Sequence, residues 1–363
     1  VEDNLFQIDS LEAHLDLLTS VGGNYVRNTM SSRDEGNVWP FARNADGLYD
    51  LNQWNPIYWE RFSRFLRLTY EKKIAVQIEL WATFDYYRAP WNENPFNPKN
   101  NINYTAERVK LPTEIPSHPT LTENPFFWSV PSQQNNLKLM EYQQKFIDKM
   151  LSYTLQYDHV LYCMDNETSV TAEWGKFWSL YLKKAASLQG KKIYTTEMWD
   201  PWDLNHAIHL ETFDHPEIYD FVDISQNNHN TGDEHWDNGL QVISRLKAMG
   251  NLRPVNNVKV YGNDGGAHHS TQHGVEAVVQ NVLLGAASSR FHRPTSGQGL
   301  NQLAQQTIKS MRSLVDKTDF FNGIPANELL LQRESGEAFC RAIAGKEYVV
   351  YFPDGGNVQL AVS

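Results

Sequence analysis

The stretch 159-HVLYCMDNETS-169 runs through mostly apolar residues, Val160 to Met164, and then turns abruptly to Asp165, Asn166 and Glu167. A short apolar run bounded by polar residues reads as a strand buried on both faces, as in a parallel sheet. In barrels of parallel strands, chemistry gathers where strands end and loops begin. The question is whether the other strands of the chain end in the same way.

Upstream, a helix over 9–20 places Leu11, Leu15 and Leu18 on one stripe, with Asp9 or Ser10 as its N-cap, and precedes the strand 24-NYVRNTM-30. A helix over 54–71 leads to 74-IAVQIELW-81, and a Pro- and Asn-rich excursion then occupies 82–136. Downstream, helix 137–156 leads into the opening strand, helix 172–189 into 193-IYTTEMW-199, and a less regular helical segment near 204–219 into 221-FVDISQ-226. Helix 236–249 precedes 258-VKVYG-262, helix 272–287 precedes 288-SSRFH-292, and a last helix covers 300–316. Strand and helix alternate throughout, which is the pattern of a parallel α/β fold. A doubly wound nucleotide-binding sheet would carry a Gly-rich phosphate turn after its first strand, and none is present. Seven strands and eight helices, beginning on a helix, predict a (β/α)8 TIM barrel over 1–320 whose strand one lies upstream of Val1 or comes from another segment. From 325 to 363 the period becomes two, and Gly and Asp turns separate short strands. This predicts a small C-terminal β-sandwich-type appendage that stops before completing its sheet.

Composition narrows the function. A formal charge of −11 argues against nucleic acid, which calls for a basic footprint. No apolar run approaches the roughly 20 residues of a membrane span, and no signal peptide precedes Val1. Cys163 and Cys340 stand in no metal or redox spacing and read as buried small hydrophobes. The aromatic surplus, 11 Trp and 17 Tyr, either fills the core or, in loops, offers platforms for sugar rings.

Read in order, the strand ends are Arg27 and Asn28, Glu79 and Trp81 with Asp85 beyond, Asp165 to Glu167, Glu197 and Trp199, Asn227 to His229, Asn263 and Asp264, and finally His292 and Arg293. Nearly every strand ends as the opening one does. Carboxylates and amides hydrogen-bond hydroxyls while Trp faces stack on rings, so this mouth is a polyol-binding cleft by composition. The predicted ligand is a carbohydrate, with Arg27, Trp81, Asp85, Asn166, Glu197, Trp199, His229, Asn263, His268 and His292 as candidate contacts.

On NYVRN at strand two, DNE at strand four and SQNNH at strand six, the barrel resembles clan A of the glycoside hydrolases over roughly 9–316. GKEYVVYFPDGG resembles the small sandwich of bacterial members related to apiosidases. The resemblance implies hydrolysis of glycosidic bonds by a carboxylate pair with no cofactor, and a polysaccharide-degrading, secreted or periplasmic enzyme. It implies that Glu167 is the general acid/base, with a raised pKa, and that Asn166 binds the hydroxyl beside the anomeric carbon. The bland alternative is that Asp165 and Asn166 cap the following helix and Glu167 is a solvated first-turn acid. The pattern breaks at strand seven, where 258-VKVYGNDGGAHHS-270 has no Glu. Asp264 is the nearest acid and becomes the candidate second carboxylate, although Asp264-Gly265-Gly266 also reads as a plain turn. Glu197 is its rival, or an acid that tunes Glu167.

His268, His269 and His273 lie near Asp264, but no HxH pair ends a strand, so no metal is predicted and His268 and His292 are read as hydroxyl contacts. The excursion is long enough to be functional. Tyr86, Tyr87, Trp91, Phe96, Phe126, Phe127 and Trp128 supply its own small core, with two or three left to wall the cleft. A non-catalytic carbohydrate-binding barrel is the competing class, and a metal-dependent hydrolase a third.

Overall fold

The computed structural model describes residues 4–117, 124–167, 171–261, 270–292 and 299–362. After a single 3-10 turn at Leu5–Gln7, helix α1 (Leu11–Ser20) buries the predicted Leu11, Leu15 and Leu18. Strand β1 (Tyr25–Thr29) follows, then a hairpin of β2 (Phe41–Arg43) and β3 (Tyr49–Trp54). The sequence reading assigned nothing to that hairpin. Its turn is closed by Asn44, whose side chain accepts from the amides of Asp46 and Leu48 at 3.0 Å each.

Helix α2 (Pro56–Glu71) starts on an Asn55 cap with proline in its first turn, and β4 (Ala75–Trp81) returns to the barrel. Among the described residues the excursion contains the short helices α3 (Arg88–Glu93) and α4 (Ala106–Val109) and the 3-10 turns Thr83–Tyr86 and Pro125–Trp128. Thereafter α5 (Leu137–Thr154), β5 (Val160–Asp165), α6 (Ala172–Leu188), β6 (Thr195–Thr196), α7 (Ala207–Phe213), β7 (Val222–Asp223), α8 (Gly232–Ala248), β8 (Val255–Val260), α9 (Thr271–Leu284), β9 (Ser288–Phe291) and α10 (Gln302–Lys317) keep the predicted alternation.

The barrel strands form two parallel sheets, β1-β4-β5-β6 and β7-β8-β9. The seam between β6 and β7 is stitched by the amides of Asp220 and Phe221, which donate to the Thr195 carbonyl at 2.8 and 3.4 Å. This is the parallel barrel architecture, with helices outside and the strand ends gathered at one mouth. No helix among the described residues is long and apolar enough to cross a membrane.

The C-terminal part folds into antiparallel β10 (Ile324–Pro325), β11 (Leu330–Leu331), β12 (Phe339–Ile343), β13 (Glu347–Tyr351) and β14 (Gln359–Leu360), paired as β10-β12-β13 and β11-β14. It is docked on the barrel helices. Phe339 packs on Trp236 of α8 with ring centroids 5.3 Å apart, and both are buried with Leu283 and Leu284 of α9. Arg341 donates to the carbonyls of Leu283 and Phe320 at 2.9 and 3.0 Å while its guanidinium lies 4.4 Å from the Phe320 ring. Phe339 has no exposed surface. Phe339→Ala is therefore expected to cost about 3–5 kcal/mol and to lower the melting temperature of the whole chain in a thermal scan. An unchanged melt would show the appendage to be energetically detached.

Candidate active site

At the mouth, residues of β1, β4 and β8 gather with the end of β5 around one carboxylate, Glu167. Arg27 of β1 and Glu79 of β4 are both fully buried and paired through the guanidinium Nε and Glu79 Oε1, with Nη2 donating to Oε2 at 2.6 Å. The same Nη2 donates to Asn166 Oδ1 at 2.7 Å, just past the end of β5. Lys259, in β8, is 3% exposed, pairs with Glu167 Oε1, and reaches Asn166 Oδ1 at 3.4 Å. Glu167 itself keeps 16% of its side-chain surface open, against 3% for Lys259. Its φ of 56° lies in the left-handed region, which a residue with a Cβ seldom adopts.

Electrostatics at this carboxylate overturn one expectation. Burial pushes Glu167 up, but the Lys259 charge and hydrogen bond, the Arg27 charge and a hydrogen bond from Gln226 together hold its pKa below the ordinary value. The raised pKa expected of a resting general acid is not found, because two cations outweigh desolvation. Asp200, just after β6, behaves oppositely: burial and then the Glu167 charge raise it to about 6, against the opposing pull of Lys259.

Of the sequence-derived candidates, Arg27, Asn166 and Glu167 are thus brought together. His229 ends the turn Ser225–His229 and is half-buried, and His292 is buried at the end of β9 with its ring 4.5 Å from that of Tyr261. Asn263, Asp264 and His268 lie outside the described residues.

Four other candidates are held in packing. Trp81 has no exposed surface and sits among Trp178, Phe126, Phe146 and Trp174 at 5.2 to 5.7 Å, which leaves no face for a sugar ring. Trp199 is buried and donates to Thr212 Oγ1 at 2.7 Å. Asp85, buried, pairs with Arg33 at 3.1 Å and accepts from Ser31 Oγ and the Ser32 amide at 2.8 and 2.9 Å, tying the excursion to the loop after β1. Glu197 Oε1 accepts from the amides of Asp165 and Met198 at 3.0 Å each, and its Oε2 lies 2.2 Å from where a Cβ on Gly175 of α6 would be. Glu197 therefore points at α6, and only glycine fits opposite it.

The excursion, which leaves the mouth end of β4, is built mainly on itself. Tyr86, Tyr87, Trp91, Phe96, Phe126 and Phe127 are all buried, Trp128 is half-buried, and the Tyr86 and Phe126 rings stack at 4.1 Å. Its asparagines replace regular backbone pairing. Asn94, Asn97 and Asn124 donate to the carbonyls of Asp85, Trp91 and Tyr86 at 2.9 to 3.0 Å. His273 likewise closes a capping box with Ser270 at the start of α9.

No protein-family model and no curated protein matches the chain. Among solved structures, the fold is similar to an endo-1,4-β-mannanase from Rhizomucor miehei, with a TM-score of 0.56 and 13% identity over 87% of this chain and 94% of that one. A glycoside hydrolase family 5 mannosidase from the same organism gives a TM-score of 0.55 and 14% identity over 86% and 91%. A longer Bacteroides vulgatus protein gives 0.54 and 12% over 87% of this chain but only 56% of its own. The shared feature is the barrel.

Sequence reasoning missed Lys259 and Asp200. Lysine in the middle of an apolar strand, 258-VKV-260, was the available signal for the first. Nothing distinguished Asp200 from a helix-leading acid. The buried pair Asp165 and Glu197 has a thermodynamic signature. Burial, and for Asp165 also the Glu197 charge, raises both, Glu197 to about 8 from an ordinary 4.5. Between those values the folded chain holds a proton that the unfolded chain releases, so stability is full below pH 4.5 and lost as pH climbs through 8. Glu197→Gln should flatten the fall of melting temperature between pH 5 and 8, and a slope identical to that of the parent would refute the assignment. Gly175→Ala should cost about 1–3 kcal/mol by overpacking against Glu197, readable in denaturant titrations.

Proposed function

We propose that the protein is a glycoside hydrolase acting on a poly- or oligosaccharide, and the observation that carries this is the Arg27–Asn166–Glu167–Lys259 constellation at the barrel mouth. An amide held by a guanidinium beside a reachable carboxylate suits a sugar: Asn166 takes the hydroxyl next to the anomeric carbon, and Glu167 handles the proton of the glycosidic oxygen. Asp264, five residues beyond Lys259 in the sequence, is the proposed second carboxylate, attacking the anomeric carbon or activating water. Paired with Lys259, Glu167 is favoured in its ionised form. A glycosidic oxygen entering between Glu167 and Lys259 separates the pair, and once the ammonium is displaced, burial favours the protonated carboxyl. Asp200, titrating near 6, is a local group that can supply that proton. His229, Asn263, His268 and His292 belong to the same reading as rim contacts to hydroxyls.

Residues 1–320 are proposed as the catalytic barrel and 325–363 as an appendage of the sandwich type found with apiosidase-related enzymes, in a secreted or periplasmic protein. Because two of the similar structures are named for mannan chemistry, β-mannan and its oligosaccharides come first in a substrate panel of plant and algal glycans.

On the substrate so found, Glu167→Gln and Asp264→Asn should each lower kcat by about 10²–10⁴-fold with a native circular-dichroism spectrum, Glu167→Gln also melting lower because it leaves the buried Lys259 without its counter-ion. The double variant should lose little more, because the two groups act as a unit. Glycan binding without hydrolysis by the parent chain would make this a binding barrel instead.

Lys259→Met removes the cation that holds Glu167 down, so Glu167 should titrate higher. The limb of the pH–rate profile that belongs to Glu167 should move to higher pH in kcat/KM. A limb that stays in place would separate Lys259 from the catalytic carboxylate.

A further inference from the structure

The turn Ser225–His229 touches both members of the Glu167–Lys259 pair: Gln226 hydrogen-bonds Glu167, and Asn228 Nδ2 donates to the Lys259 carbonyl. Its first residue is anchored on β8, where Ser225 Oγ accepts from the Val258 amide at 2.9 Å. Asn227, between these contacts, is fully buried and bonded instead to helix α8. Its Nδ2 donates to the His235 carbonyl at 2.8 Å, and its own carbonyl accepts from His235 Nδ1 at 3.0 Å. A carbonyl only accepts, so Nδ1 carries a proton. Asn230 and Asn238 close the clasp, their amides donating to Asn227 Oδ1 at 3.1 and 3.3 Å. On its far side, His235 Nε2 meets Asn281 Oδ1 of α9 at 3.0 Å, and Asn281 donates to Ser289 Oγ of β9 at 3.1 Å. His235 has no exposed surface. An apolar side chain of that size would fill the same space without polar atoms to satisfy, so packing alone does not call for histidine.

We propose that His235 is a positioning residue: by holding Asn227 against α8 it sets the rotation of the turn, and so directs Gln226 onto Glu167. This rests on the reading of Glu167 as the carboxylate that handles the proton. In a 3-10 turn successive side chains project about 120° apart. Gln226 and Asn227 therefore cannot rotate independently, and fixing one on the helix layer fixes the other on the mouth. Ser225 and Asn228 tie the turn to β8 on either side of these two residues, but neither bond sets which way the intervening side chains face. That facing is set by the two bonds between Asn227 and His235. Through Asn281 and Ser289 the clasp continues to α9 and β9, so the reference frame for Gln226 is the outer layer of the barrel rather than the loop that carries it.

The test follows the titration of Glu167 by carboxyl-carbon NMR, assigned with Glu167→Gln, in the parent chain, in Gln226→Leu and in three His235 variants. The Gln226 hydrogen bond favours the ionised carboxylate, so losing it raises the midpoint. His235→Ala should raise it as far as Gln226→Leu does, and the double variant should go no further, because both remove one contact. His235→Asn keeps an amide donor where Nδ1 stands and should restore the parent midpoint. His235→Gln places its amide at the Nε2 end, toward Asn281, and should not. If His235→Ala fails to fold by circular dichroism, His235→Asn and His235→Gln decide alone. On a glycan that the parent hydrolyses, His235→Ala should lower kcat by ~10-fold or more with KM little changed. A parental Glu167 midpoint in His235→Ala, or equal restoration by His235→Asn and His235→Gln, overturns the proposal and leaves His235 a packing residue. A raised midpoint in a chain that cleaves no glycan would uphold it and defeat the hydrolase reading instead.

Discussion

The mouth of this barrel depends on a guanidinium that has been taken out of water. Arg27 is neutralised by Glu79 within the β1–β4 ladder, where Thr29 and Glu79 are in register and Arg27 lies opposite Gln77. Removing one member of such a buried pair typically costs 3–5 kcal/mol, since the other charge is left uncompensated. The pair is more than a stability element. With one edge of Arg27 fixed on Glu79, its Nη2 has one geometry left, and that geometry orients Asn166. Asn166 and Lys259 then define where Glu167 can be. The site is thus assembled outward from the ladder, each group being held by one already fixed.

The same logic explains which parts of the site could be read from the sequence. Strand burial imposes short apolar runs, and barrel geometry puts polar residues at one end of each, so Arg27, Asn166 and Glu167 were legible as strand-end residues. Lys259 was not, because its Cα lies within an apolar strand and only the fold shows its ammonium reaching another strand's end. The raised pKa expected of Glu167 is not realised, because the charges of Lys259 and Arg27 outweigh desolvation. Trp81, Trp199 and Glu197 occupy equally favourable sequence positions, but ends of short strands twist, and a one-residue change of facing sends a side chain to the helix layer. The requirement for Gly175 opposite Glu197 is a tertiary fact with no local signature.

The excursion shows a different limit. Its aromatic content suggested a sugar platform, and its asparagines suggested a loop. Both residue types are used to make irregular chain rigid, the rings by stacking on one another and the amides by satisfying carbonyls that no helix or strand would pair. The fold-level reading fared better than the side-chain reading because periodicity averages over many residues, whereas the facing of one tryptophan does not.

The backbone at Glu167 carries one more consequence. Holding a residue with a Cβ at φ 56° costs on the order of 1–3 kcal/mol, and glycine or asparagine would relieve much of it. Backbone relaxation and the Lys259 ion pair therefore ask for different residues at one position. Directed evolution for heat resistance meets two opposed terms at position 167: a residue that relaxes the backbone strips the buried Lys259 of its counter-ion, and the loss of about 3–5 kcal/mol there outweighs the strain relieved, so selection on melting alone keeps the acid.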